Sequence, residues 1–359
     1  MPIPDPFLNR VSELNEAPVR HGDYVLYWMQ RSQRVAYNHA LEFAIRLANE
    51  RELPVLVGFG LTAHYPDAAL RHYAFMVEGL QDVEADLRER GIRFVVRIGE
   101  PPGVALDLGR EAAAIVCDRG YLAHLREWRY DVARTAGCCV YEVESDLTVP
   151  VEAVSTKQEY AARTIRPKLH RALRDYLVPL EPKEVHHRSL DLEVRGESLE
   201  DADALLRKLG PHPRPGAVQG FFRGGAHEAR RRLERFLSDR LDHYEEQRSE
   251  PGLDVSSTLS PYLHFGQISE LEIALEAGAQ QFAEGMESGS GAMKHQPGSV
   301  GMRTSSEERA SARDAFLEEL LVRRGLAYNY VWFTRDYDHY ASLPEWARET
   351  LATHSGDER

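Results

Sequence analysis

Between residues 23 and 150, short apolar runs alternate with helix-length amphipathic stretches, and few folds accept that pattern. The runs occupy residues 24–29, 54–59, 94–98, 113–117 and 139–143. They are near-continuously apolar, broken only by Arg97 and Glu142, and do not alternate with polar residues, as expected for strands covered on both faces. Between them, residues 38–51 place Leu41, Ala44, Ile45 and Ala48 on one helix face. Residues 67–90 repeat the device with Leu70, Phe75, Leu80 and Leu87, and stop at Gly91. Strands separated by helices in this way predict an α/β domain with a doubly wound parallel sheet over residues 1–150. No G-x-G-x-x-G follows the first strand, so a dinucleotide-dependent dehydrogenase lacks its main support. Ligands of such sheets lie at the carboxyl ends of the strands, which here include Trp28-Met29-Gln30-Arg31 and Cys117-Asp118-Arg119.

The remainder of the 359 residues reads differently. Residues 151–220 become polar and rich in proline and charge, with a short helix near 199–209, and are expected to link two domains. Within them, Ser155-Thr156-Lys157 through Arg166-Pro167-Lys168 sets cations beside hydroxyls and could hold an anion or an acidic surface. Residues 221–359 carry helical periodicity. A helix from Ala226 to about Tyr244 turns Leu233, Phe236, Leu237 and Leu241 inward, and groups Arg230, Arg231, Arg232 and Arg235 into a basic face. Ser269 and Glu272 form a capping box for a short helix, while Ser305 with Glu308 opens a long one reaching about residue 333. In that long helix Glu319 and Arg323 stand i,i+4 and predict an ion pair on one face. Residues 285–305, full of Gly, Ser and Met without apolar period, are expected to form a flexible insertion.

Between those helices lies Ser256-Ser257-Thr258-Leu259-Ser260-Pro261-Tyr262-Leu263-His264-Phe265-Gly266-Gln267-Ile268-Ser269. Ser260 suits an N-cap and Pro261 the first turn, so hydroxyls and free amides gather where a phosphate or pyrophosphate binds well. The stretch resembles the flavin-binding signature of the photolyase/cryptochrome family, and its continuation is similar to class II cyclobutane pyrimidine dimer photolyases. Tyr27-Trp28-Met29-Gln30-Arg31, the 155–168 segment, Phe316 through Arg324 and Leu343-Pro344-Glu345-Trp346-Ala347 extend the likeness across most of the chain.

The resemblance implies an N-terminal antenna domain followed by an all-α FAD-binding domain. FAD is the implied cofactor, with Tyr244, Ser256, Ser257, Thr258, Leu259 and Ser260 as its binding residues. An antenna chromophore of deazaflavin or folate type is a further candidate. DNA containing pyrimidine dimers is the implied partner. Glu319 would act as the catalytic residue that hydrogen-bonds the damaged pair and stabilises its radical anion, with Arg248, Arg323 and Arg324 on the phosphates. Class II sequences continue beyond the position of Arg359, supplying more of the flavin pocket and its electron-relaying tryptophans. The helical domain is therefore expected to be C-terminally incomplete. Two other readings remain open: a cryptochrome-like photoreceptor, and an inactive truncated remnant.

Composition bounds these readings. A formal charge of −13 means that DNA must be met by a local basic face and not by the field of the whole molecule. Three cysteines form no metal spacing and cannot all pair, and His186-His187 lacks further ligands, so no metal is expected. No apolar run approaches the roughly 18 residues of a membrane span, and no secretion signal opens the chain. A monomeric cytoplasmic enzyme without a protein partner is the expectation.

Overall fold

The computed structural model describes residues 7–216, 218, 220–285 and 305–358, with the side chains of 284, 285 and 305–308 excepted. Six strands form one sheet: β1 (Val11–Glu13), β2 (Tyr24–Trp28), β3 (Val55–Leu61), β4 (Arg93–Ile98), β5 (Ala112–Asp118) and β6 (Cys139–Val143), in the order β1-β6-β5-β2-β3-β4. All pairs are parallel except β1 with β6. Winding runs from β2 outward through β3 to β4, then returns to β5 and β6, so the switch point lies between β2 and β5. The helices α1 (His39–Glu50), α2 (Leu70–Glu89), α3 (Pro101–Leu108) and α4 (Ala123–Thr135) cover both faces. In β2, Val25 and Tyr27 enter the core under α1 and α2, while Tyr24, Leu26 and Trp28 enter the one under α3 and α4. Successive residues thus face two different cores, which is why the run must be apolar throughout. The edge strand β1 is half-exposed and mostly polar, and it leaves no such trace in the sequence.

Within 151–220, two stretches pack against the cores on either side. After the short α5 (Val151–Val154), α6 (Ala162–Tyr176) buries Ile165, Leu169 and Leu173 in a separate helical core. The chain then returns to the sheet domain. There Glu197 bridges Val96, and α7 (Ala202–Leu209) adds Leu205, Leu206 and Leu209 to the core beneath α2.

The helical half continues with α8 (Ala226–Arg235), α9 (Tyr244–Gln247), α10 (Ser260–Phe265), α11 (Glu270–Glu276) and α12 (Ala279–Gly285). Then come α13 (Ser305–Leu317), α14 (Arg324–Phe333) and α15 (Glu345–Thr353). Two long helices expected from periodicity are interrupted. Between α8 and α9 stand a π turn, Phe236–Arg240, and a 3-10 turn, Leu241–His243. A second π turn, Glu318–Arg323, separates α13 from α14. Ser269 caps α11 by accepting the Leu271 N–H at 3.2 Å, but Glu272 turns to Arg230 and does not close the expected capping box. The insertion expected at 285–305 and the Ser305/Glu308 cap fall outside the described residues. No described helix is long and apolar enough to cross a membrane.

Buried charge joins the two halves. Arg34, 1% exposed, donates to the carbonyls of Ser145 (2.6 Å) and Gly266 (3.0 Å). Gly266 has φ +68°, and a Cβ there would lie 1.7 Å from the Arg31 carbonyl oxygen, so this approach of the halves requires glycine. Arg31 binds Asp146 at 3.1 Å and the His264 carbonyl at 2.5 Å. Arg324 binds Glu270 and, at 3.1 Å, the Asp146 carbonyl. Burial pushes the Asp146 carboxyl up, yet Arg31 and Arg324 outweigh it and hold the group below its usual range.

Asp146→Asn should destabilise the protein by roughly 3–5 kcal/mol in denaturant unfolding, because it leaves buried guanidinium groups uncompensated. A second expectation concerns acid. Hydrogen bonds from Lys168 and Thr164 hold Glu159 down to about 2, against an ordinary 4.5. A group depressed on folding contributes stability above its unfolded value, and that contribution is lost as pH falls through the folded one. Between pH 4.5 and 2, Glu159→Gln should therefore flatten the fall of melting temperature seen in the unaltered chain.

Candidate functional site

The hydroxyl loop is held from behind by arginines. Arg240 pairs with Asp254 at 2.6 Å and donates to the Ser256 carbonyl at 3.3 Å. Arg232 donates to Thr258 Oγ1 at 3.0 Å, to the Phe221 carbonyl at 2.9 Å and to Glu228 at 2.9 Å. Thr258 has φ +55°, a left-handed conformation strained for a β-branched residue and typical of ligand loops. The cap differs from expectation. The N-cap of α10 is Leu259, Ser260 is the first helical residue, and Ser257 Oγ accepts the Leu259 N–H at 3.4 Å. Leu259 is buried in the helical core, so only its backbone faces the loop. Ser256 and Ser260 are exposed, while Ser257 and Thr258 are half-buried.

The two π turns bring together three residues predicted from sequence. Arg248, the C-cap of α9, lies over the Tyr244 ring, 5.6 Å from its centroid, and donates to Glu319 at 2.8 Å. Tyr244 stands edge-on to Phe236 and Phe316 at 5.7 and 5.6 Å, which ties the site to the core. Both partners of the ion pair are accessible, with side chains 38% and 40% exposed. The Glu319 hydrogen bond is the largest influence raising the Arg248 pKa. The expected Glu319–Arg323 pair does not form, because the π turn shifts the helical register between them. Arg323 instead leans on Glu318 at 3.6 Å, and Glu318 also takes a two-pronged contact from Arg166 at 2.6 and 2.9 Å. π turns of this sort recur at functional sites, where they re-aim side chains.

Two cationic features have internal partners. Arg324, expected on DNA, lies in the joint between the halves on Glu270 and Tyr328, with a side chain 15% exposed. Its charge already serves internal partners. The basic face expected on α8 is largely neutralised too: Arg230 binds Glu272 at 2.6 Å, and Arg231 and Arg232 both bind Glu228. Arg235 remains exposed.

A second concavity, of about 450 Å³, opens at the carboxyl ends of β2 and β3 beside the switch point. Trp28, Phe59, Tyr65, Trp128 and Phe265 are among its walls. Tyr65, His124 and Trp128 meet edge to face at 5.1–6.2 Å. Several buried polar atoms at this cavity have no partner among the described residues: Trp28 Nε1, both amide atoms of Gln30, Gln33 Oε1 and His124 Nε2. Burial pushes the His124 imidazole down, keeping it neutral at pH 7. The other expected strand end is structural. Asp118 accepts from the Tyr27 hydroxyl and from the backbone N–H groups of Gln30, Arg31 and Ser32. Arg119 is taken up by Glu142 and Glu152. Sequence reasoning missed Tyr65, of the β3–α2 connection, and His124 and Trp128, one turn apart on α4, which meet only in the folded chain. It also missed Arg240, whose role appears only once the helix breaks.

This arrangement has relatives. The profile of the DNA photolyase family matches residues 25–186. The deoxyribodipyrimidine photo-lyase of Methanothermobacter thermautotrophicus is 41% identical over 351 residues, covering 98% of this chain and 71% of that protein. Those of Arabidopsis thaliana and Potorous tridactylus are 33% and 31% identical over 93% of this chain, which spans 64% and 58% of their lengths. A bacterial class III photolyase from Agrobacterium tumefaciens shares the fold with a TM-score of 0.64 at 19% identity, over 96% of this chain and 66% of that one. The chain belongs to the DNA photolyase family.

The different surroundings of two arginines give opposite expectations. Arg324→Ala should lower unfolding free energy by roughly 3–5 kcal/mol by stranding buried carboxylates. Arg248→Ala, at a half-exposed pair, should change it by less than about 1 kcal/mol. Thermal and denaturant unfolding of both variants checks the contrast.

Proposed function

We propose that this chain is a class II cyclobutane pyrimidine dimer photolyase, which uses light to repair pyrimidine dimers in DNA with FAD as cofactor. The observation that carries the reading is the convergence of Tyr244, Arg248 and Glu319, while Arg232 and Arg240 of the preceding helical segment hold the hydroxyl loop. The donor chemistry fits a phosphate-bearing cofactor: Ser256, Ser257 and Ser260 offer hydroxyls on a strained loop that Arg232 and Arg240 hold through Thr258 Oγ1 and the Ser256 carbonyl. Tyr244 would contact the cofactor from α9. When bound, the reduced flavin supplies light absorption and the transferable electron.

The chain's own residues then select and hold the substrate. Arg248 exchanges Glu319 for a DNA phosphate, a stronger charge-assisted partner once the duplex is close. Glu319, released, accepts an N–H of the flipped-out pyrimidine pair and fixes its orientation. Damaged bases stack poorly and flip at least cost, which gives selectivity without reading sequence. Arg323, with a side chain 55% exposed, supplies a further phosphate contact. Arg324 drops out of the DNA-facing set, because its charge is taken up inside the joint.

The cavity at the switch point suits an antenna chromophore of the deazaflavin or folate type. The amide of Gln30 offers one donor and one acceptor side by side, the complement of a pyrimidinone edge, between aromatic walls. Cys117, Cys138 and Cys139 are buried free thiols, in keeping with a reducing cytoplasm, where we place the enzyme as a monomer.

Purified chain should release FAD on acid treatment and reverse dimers in an irradiated oligonucleotide under visible light. Glu319→Ala should lower the repair yield at least tenfold while flavin content and melting temperature stay near those of the unaltered chain. Equal loss of flavin and repair would make Glu319 a cofactor or folding residue. Flavin binding without repair would favour a photoreceptor.

A further inference from the structure

The chain carries a formal charge of −13, yet one helix gathers positive charge. Residues 155–176 hold Lys157, Arg163, Arg166, Lys168, Arg171 and Arg174 against Glu159 and Asp175. The apolar side of α6 is spent on the core, where Ala162, Ile165, Leu169, Leu173 and Tyr176 are buried. At about 100° per residue, Arg163, Arg166, Arg171 and Arg174 fall within an arc of roughly 140° on the opposite side. Arg163, Arg171 and Arg174 are exposed and Arg166 is half-buried. Arg166 is held by Glu318 and Lys168 by Glu159, while Arg163 and Arg171 have no carboxylate within ion-pair distance among the described residues. Asp175 is the carboxylate of α6 that borders this arc.

We infer that this arginine stripe, with Tyr160 ahead of it, is a second DNA contact that carries the phosphate backbone away from the Arg248–Glu319 site. The inference rests on the reading of the chain as a DNA-repair enzyme. Three observations support it. The stripe starts beside the site: of two successive residues in one π turn, Glu318 binds Arg166 of α6 and Glu319 binds Arg248 at the end of α9. The leading segment is fixed in place, because Asn329 accepts the Glu159 N–H at 2.7 Å and donates to the Lys157 carbonyl at 3.1 Å. Tyr160, 84% exposed just before α6, offers a ring to a base or sugar among cations.

Dimensions match as well. From Arg163 to Arg174 the helix rises about 17 Å. One DNA strand places a phosphate every 3.4 Å or so along the axis, so the stripe spans about five. Contacts of this kind add affinity without sequence preference, and they answer how so acidic a chain approaches a polyanion: through a local face.

The test is binding of a dimer-containing duplex and of the same duplex undamaged, by fluorescence anisotropy across a salt series. Arg163→Glu/Arg171→Glu should weaken both at least tenfold near 0.1 M salt. It should also make the slope of log affinity against log salt shallower by about 2, and leave the preference for damage unchanged. Arg163→Ala/Arg171→Ala should show a smaller loss in the same direction. As a control, Arg110→Glu/Arg134→Glu places the same charge change on exposed side chains of the sheet domain. Unchanged binding by both stripe variants overturns the inference, as does an equal loss in the control, which would make net charge the cause. If the unaltered chain binds duplex through the stripe but shows no preference for damage, the repair reading falls and the stripe stands. If it prefers damage and the stripe variants bind as it does, the stripe falls and the repair reading stands.

Discussion

Everything in this molecule depends on burying charge where its two halves meet. Arg31, Arg34 and Arg324 converge on Asp146, Glu270 and a set of backbone carbonyls, each guanidinium making two or more hydrogen bonds. A hydrophobic joint would let two domains slide, because apolar contact is non-directional. Planar guanidinium forks meeting carboxylates and carbonyls tolerate little displacement. The joint also explains Gly266, where the backbone of one half passes too close to the other for any side chain. The cavity at the ends of β2 and β3 is closed on one side by His264 and Phe265 of the helical half, so its shape follows from this same alignment.

The candidate repair site has a different origin. It depends on two places where helices depart from regular winding. Regular continuation from Ala226 would carry Tyr244 and Arg248 around the helix in a fixed register. The π and 3-10 turns instead re-aim α9 against α13, so that Arg248 reaches Glu319. The second π turn divides two neighbouring glutamates between different partners, Arg166 and Arg248. That division places α6 and α9 on either side of one short segment. Such turns cost hydrogen-bond geometry and persist where surrounding packing holds them, here Phe236, Phe316 and Tyr244.

Much of the sheet domain was legible because its cause is local. A strand buried on both faces must be largely apolar, and the five parallel strands announce themselves that way despite Arg97 in β4 and Glu142 in β6. The edge strand β1 did not, since a half-exposed strand of three residues needs no pattern. In the helical half the inward residues were legible, among them Leu233, Phe236, Phe316 and Leu321, but the breaks in the helices were not. Charge was the least legible feature. Arg230, Arg231, Arg232 and Arg324 are drawn off by internal carboxylates, and the exposed stripe lies on α6, a stretch that sequence alone offered only as a possible anion-holding joint.

The sequence by itself determined the five parallel strands, the helices that cover them and which faces they bury, because hydrophobic periodicity acts over a few neighbouring residues. It also carried the chemistry of the site, the hydroxyl loop with its Tyr, Arg and Glu. Tertiary structure decided which charge meets which. Glu319 meets Arg248 across 71 residues and Arg324 meets Glu270 across 54. An ion pair depends on a few ångströms of separation and on the solvent left around it, and neither is a property of the local chain.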